Sequence, residues 1–230
     1  MDDGGLMEAD WSVELGAEDP VIVVPWQGVE EASRLPMESP AGTGVRFVDL
    51  REDPEAIEQI EEARREPSLR SALLALNEAG SPLWTAKCGL WTRSHQEGIE
   101  AGLDAAVDFR EMEAEPEEAS FAAGCYIDLL PRDAKANASF ALQERWIRGM
   151  AEQVRGAAMR CARADFVLRH AEVCGVPGFA VTWFMEACGA TRELAACRMA
   201  QALELTLPLV MEAASRPAAE NATIGEHSGE

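Results

Sequence analysis

The chain has 230 residues, 47% of them apolar, enough for one domain with a sizeable core. Its 41 acidic and 20 basic residues leave a net charge of −21, a field that repels phosphate backbones and anionic lipid and argues against nucleic-acid and membrane-surface partners. The opening "MDDGGLMEAD" is acidic where a secretory signal needs a basic start, and no apolar run approaches the roughly 18 residues of a membrane span, so a cytoplasmic location is expected.

Residues 1–19 carry seven acids and no base and read as an acidic tail, with Trp11, Val13 and Leu15 alternating where its last part lies along the domain. "VIVVPW" (Val21–Trp26) is a β-branched run ended by Pro25, which suits an edge strand. A loop rich in Gly, Pro and Ser follows, and "VRFVDL" (Val45–Leu50) reads as the hairpin partner of the first strand. Asp53 then caps a helix, Pro54 takes its first position, and Glu55 and Glu58 complement its positive end. Pro67 ends or kinks that helix, which restarts with Leu69, Leu73 and Leu76 on one side.

"SPLWTAKCGLWT" (Ser81–Thr92) is the third strand. Residues 93–118 form an acidic loop with little to bury, and "ASFAAGCYIDLLP" (Ala119–Pro131) is the fourth strand. From Ser139 to Val173 the spacing of Trp146, Met150, Val154, Ala158 and Cys161 predicts a long helix, broken near Gly149 or Gly156. "GVPGFAVTWFMEACG" is the fifth strand, and a helix capped by Thr191 and perturbed by Pro208 closes a single domain over residues 20–215. Residues 216–230 read as a disordered tail. The order β-β-α-β-β-α-β-α predicts an α+β fold, a mostly antiparallel five-stranded sheet with helices packed on one face.

Strand side chains alternate between faces, so each strand sorts into two rows. In the third strand Trp84, Ala86, Cys88 and Leu90 oppose Thr85, Lys87 and Gly89. In the fourth, an apolar row opposes Ala122, Gly124, Tyr126 and Asp128; in the fifth, an apolar row opposes Thr182, Phe184 and Glu186. If the three strands are neighbours, the second rows bring Thr85, Lys87, Tyr126, Asp128, Thr182 and Glu186 onto one face. Lys87 is one of two lysines in the chain, and Tyr126 is its one tyrosine. A lysine held among carboxylates stays charged and suits anion binding, while a pair such as Asp128 and Glu186 serves as acid and base only where their environments differ. The plainer reading is a solvated sheet face carrying ordinary cross-strand ion pairs.

Nothing in the chain identifies a catalytic residue. His95, His170 and His227 are scattered, and Cys161, His170 and Cys174 do not make a metal site at their spacing, so no metal and no cofactor are expected. The six cysteines contain no CxxC pair and read as small buried hydrophobes. No phosphate loop, dinucleotide fingerprint or nucleophile elbow occurs; "AGTG" (Ala41–Gly44) is a turn. Trp84 and Trp183 fall in core rows, whereas Trp11, Trp26 and Trp91 lie where aromatics serve either core or interface. Two functions follow as expectations. The first is a non-enzymatic protein-interaction module, binding a protein partner or a second copy of itself. The second is an enzyme or small-ligand binder built on the Lys87, Tyr126, Asp128 and Glu186 face.

Overall fold

Period-two burial builds the sheet of this molecule. The computed structural model describes residues 5–26, 47–94 and 120–215. Its strands are β1 (Glu8–Glu14), β2 (Ile22–Val24), β3 (Leu83–Ser94), β4 (Phe121–Pro131), β5 (Ala162–Val173) and β6 (Val176–Gly189). A 3-10 turn (Pro54–Gln59) leads into helices α1 (Glu61–Arg65) and α2 (Pro67–Asn77); α3 (Ala134–Asn137) and α4 (Phe140–Val154) precede β5, and α5 (Arg192–Ser215) ends the described chain.

The strands form one sheet in the order β1-β5-β6-β4-β3, with β2 also paired to β5. β1 and β2 run parallel to β5, while β5, β6, β4 and β3 are mutually antiparallel along the sheet. The fold is therefore α+β with a mixed sheet, which corrects the mostly antiparallel expectation. The element order also differs, being β-β-α-α-β-β-α-α-β-β-α after the initial 3-10 turn is set aside.

Three local misreadings account for that difference. Glu8–Glu14, assigned to the acidic tail, is an edge strand in register with Glu8 opposite Arg163 and Glu14 opposite Arg169. Residues 47–49 of the expected second strand have no regular structure, and Leu50 opens a turn; Val45 and Arg46 lie outside the described residues. The expected long helix stops at Val154. Beyond Gly156, whose φ is +90°, the chain turns back as β5. The alternation that builds β5 is present in "ARADFVLRHAEV": Ala164, Phe166 and Leu168 are buried on the helix side, while Arg163, Asp165 and Arg169 point the other way. Of the expected acidic loop, Arg93 and Ser94 belong to β3 and the remainder lies outside the described residues, as do residues 216–230.

The capping signals act as the sequence implies. Asp53 accepts from the Ala56 amide at 3.3 Å, Ser139 from the Leu142 amide at 3.4 Å, and Thr191 from the Leu194 amide at 3.2 Å. Leu69, Leu73 and Leu76 of α2, Ile147 and Met150 of α4, and Met199, Leu203 and Val210 of α5 bury against the inward row of the sheet, which includes Ile127, Phe166, Val181 and Trp183. Phe166 and Trp183 stack at 6.1 Å at the centre of this core. By length and composition α5 could cross a membrane, a property hidden from a search for an unbroken apolar run by Arg198, Glu204 and Glu212. Here one of its sides is buried in the core.

A second, smaller apolar cluster forms on the opposite face from Ile22, Val24, Trp84, Leu130, Ala171 and Ala180. β2 is hydrogen-bonded to β5, yet Trp26, just beyond it, donates its indole N–H to the Ala86 carbonyl of β3 at 3.3 Å. The chain thus bridges the sheet from β5 to β3 and closes one end of the face opposite the described helices.

Candidate functional site

The polar face is built by register. Asp128 stands opposite Thr182, Tyr126 opposite Phe184, and Gly124 opposite Glu186. On the other side of β4, Tyr126 stands opposite Gly89, Gly124 opposite Trp91, and Ala122 opposite Arg93. Because β3, β4 and β6 are neighbours, the face carries Lys87, Tyr126, Asp128, Thr182 and Glu186 together.

Thr85 does not join them. Thr85 pairs with Leu129 and Cys88 with Ile127, so Ala86 and Lys87 together oppose Asp128 in a β-bulge. The extra residue reverses the alternation upstream. Thr85 faces the helices, where its hydroxyl accepts from the Asn77 side-chain amide at 2.7 Å and its own amide donates to Asn77 Oδ1 at 3.2 Å. Trp84 and Ala86 move to the opposite face, while Cys88 and Leu90 pack on the main core. One inserted residue thus separates two groups that simple alternation had joined.

Asp128 is 5% exposed, and its Oδ1 accepts the Thr182 hydroxyl at 2.7 Å. Burial pushes its carboxyl up to about 6, against the pull of the Thr182 bond and of the charges on Lys87 and Arg169. Lys87 Nζ lies 5.4 Å from the centroid of the Trp26 ring, the residue that closes this end of the face. Burial also raises the Tyr126 hydroxyl, helped by the Asp128 charge.

Toward the other end, Glu186 Oε1 accepts from the Trp91 indole at 3.2 Å and from Arg93 Nη2 at 2.9 Å. Burial raises the Glu186 carboxyl, and the Arg93 charge opposes that rise. Between the two carboxylates runs an aromatic row. Trp91 and Tyr126 lie 6.5 Å apart with their ring planes at 30°, and Tyr126 and Phe184 lie 6.0 Å apart and tilted at 45°. The row lies flat because of two glycines. A Cβ at Gly89 would overlap the Tyr126 ring, and one at Gly124 would overlap the Trp91 indole and crowd Glu186 Cγ.

Sequence reasoning missed the contribution of β5. Arg163 forms a two-pronged pair with Asp165 at 2.7 and 2.8 Å, and Arg169 pairs with Glu14 of β1 at 2.9 Å. The Arg169 guanidinium also lies 5.9 Å from the Phe184 ring centroid. The signal that reveals them is the charged alternation within a segment read as helix. His170, by contrast, is exposed and stacks on Phe179 at 5.4 Å on the helix side. Among the described residues no three His, Cys, Asp or Glu side chains are grouped to hold a metal.

No protein-family model matches the chain, and neither a curated protein nor a solved structure shows significant similarity to it.

Proposed function

We propose that this chain is a non-enzymatic protein-interaction module that receives its partner on the sheet face opposite the described helices. The observation that carries this reading is the half-exposed row Trp91, Tyr126 and Phe184, seated over glycines and flanked by Glu186 and Asp128. Tyr and Trp concentrate binding energy at interfaces, because their rigid rings bury large area for little conformational entropy. The surrounding carboxylates are held in hydrogen bonds to Thr182, Trp91 and Arg93, so they orient a docking surface without a proton acceptor aimed at a substrate.

The test is residue-resolved chemical cross-linking of the full chain in cell extract, with Trp91→Ser and Tyr126→Ser as controls that keep the far-UV spectrum. Cross-links that map to β3, β4 and β6 and vanish in both variants support the reading. Cross-links that persist in both variants, or that map only to α5, sink it.

A second reading, a small-ligand site beside Lys87, draws on one observation: Asp128 is a buried carboxyl that burial pushes up to about 6. Native mass spectrometry separates the two. A reproducible extra mass that disappears in Lys87→Ala moves the assignment to a ligand site.

A further inference from the structure

Two cysteines far apart in sequence are neighbours across the base of the β5–β6 hairpin. Ala162 opposes Ala187 and Arg163 opposes Glu186, so one step outward in the same register sets Cys161 against Cys188. The Cys188 amide donates to the Cys161 carbonyl at 2.9 Å, which extends the ladder to this pair. Directly opposed residues of a hydrogen-bonded antiparallel pair have Cα atoms about 5.5 Å apart. That separation falls inside the roughly 4.4–6.8 Å that a disulfide spans.

Both residues are buried, at 1% and 0% exposure, and all six cysteines are thiols here. Cys161 adopts φ +57°, a left-handed conformation that a residue with a Cβ adopts at a cost. Such strain marks a position over-determined by its surroundings. Cys88 and Cys125 differ, since their strands point them into the apolar core.

We propose that Cys161 and Cys188 form a reversible disulfide that staples the base of the β5–β6 hairpin. The Cys188 carbonyl accepts from Arg198 of α5 at 2.9 Å, so the staple sits where β6 hands the chain to the last helix. The oxidant is hydrogen peroxide. One thiolate attacks the peroxide oxygen, the O–O bond breaks, and a sulfenic acid and one water form. The second thiolate attacks the sulfenic sulfur, the S–O bond breaks, and the oxygen leaves as a second water. In sum two thiols lose two electrons and two protons, and one hydrogen peroxide becomes two waters. A dithiol reductant reverses the bond by exchange.

The experiment uses the full chain carrying Cys174→Ser and Cys197→Ser, so that the two exposed thiols do not compete. It is reduced, freed of reductant, treated with hydrogen peroxide, and read by intact mass and by non-reducing peptide mapping. The expected result is a chain lighter by two hydrogens, with one cross-linked peptide joining positions 161 and 188. Dithiothreitol restores the mass, and Cys161→Ala or Cys188→Ala abolishes the cross-link. Three results overturn the proposal: an unchanged mass at peroxide levels that oxidise Cys174 and Cys197 in the unmodified chain, a bridge between other cysteines, or sulfinic acid at either position. Mapping the chain with Cys161 and Cys188 intact decides the matter even where an alanine variant fails to fold.

Discussion

At Asp128, burial and hydrogen bonding pull in opposite directions, and burial prevails. The folded chain holds the proton more tightly than the unfolded chain, with the carboxyl raised from 3.8 to about 6. The sign of the pH effect follows: the stabilising linkage is fully present below 3.8 and is lost as pH rises through about 6. Above that range the ionised carboxylate is a net burden, relieved in part by Thr182 and by the charges of Lys87 and Arg169. Asp128→Asn keeps an oxygen for the Thr182 hydroxyl and removes the charge. It should be more stable than the wild type at pH 7 by up to ~3 kcal/mol and lose most of the dependence on pH across this window. Urea unfolding at pH 4 and pH 7 checks this, and an equal change at both would refute it. At Gly124 the prediction is steric. Gly124→Ala drives a methyl into the Trp91 indole and should cost about 1–3 kcal/mol while weakening the Trp91–Glu186 bond. The cost should shrink in a Trp91→Ala background, a coupling that a double-mutant cycle measures.

At the scale of elements, the caps, the α2 leucine face and four of the strands, β2, β3, β4 and β6, were legible in the sequence. Short-range chemistry sets them: a side-chain oxygen at a helix start, apolar residues at helical spacing, alternation along β4 and β6. β5 was not legible for a physical reason. Ala, Arg, Leu and Glu fit a helix as readily as a strand, and the run follows directly on a true helix. What decides the matter is long-range: Phe166 stacks on Trp183 and the strand is paired along its length on both sides. The bulge at Ala86 and Lys87 was invisible for the same reason, since it exists only relative to Asp128 on the partner strand. The candidate face was therefore largely readable in composition, apart from Thr85 and the β5 arginines. β5 also yields a sharp contrast. Phe166→Ala should cost about 3–5 kcal/mol, whereas Asp165→Ala, losing a half-exposed pair with Arg163, should cost less than about 1 kcal/mol. Guanidinium unfolding of the two variants tests the burial that the strand gives each side chain.

Across the whole molecule, the charge is uneven. Residues 1–19 carry seven acids and no base, and residues 95–119 carry nine acids and one base, so these two stretches hold most of the net −21. On the polar sheet face acids and bases meet as pairs: Arg93 with Glu186, Arg163 with Asp165, Arg169 with Glu14. Salt acts oppositely on these two populations. It screens the mutual repulsion of the excess acids, which favours the compact chain, and weakens exposed ion pairs, each worth about 0–1 kcal/mol. The pairs on the sheet face are partly buried and screened less, since Arg93 and Glu186 are each 19% exposed. Relief of repulsion should therefore win. Raising sodium chloride from about 20 to about 500 mM, which cuts the screening length from about 20 Å to about 4 Å, should raise the melting temperature by a few degrees. A melting temperature that fell with salt would mean that the ion pairs of the sheet face, rather than its apolar packing, carry the stability.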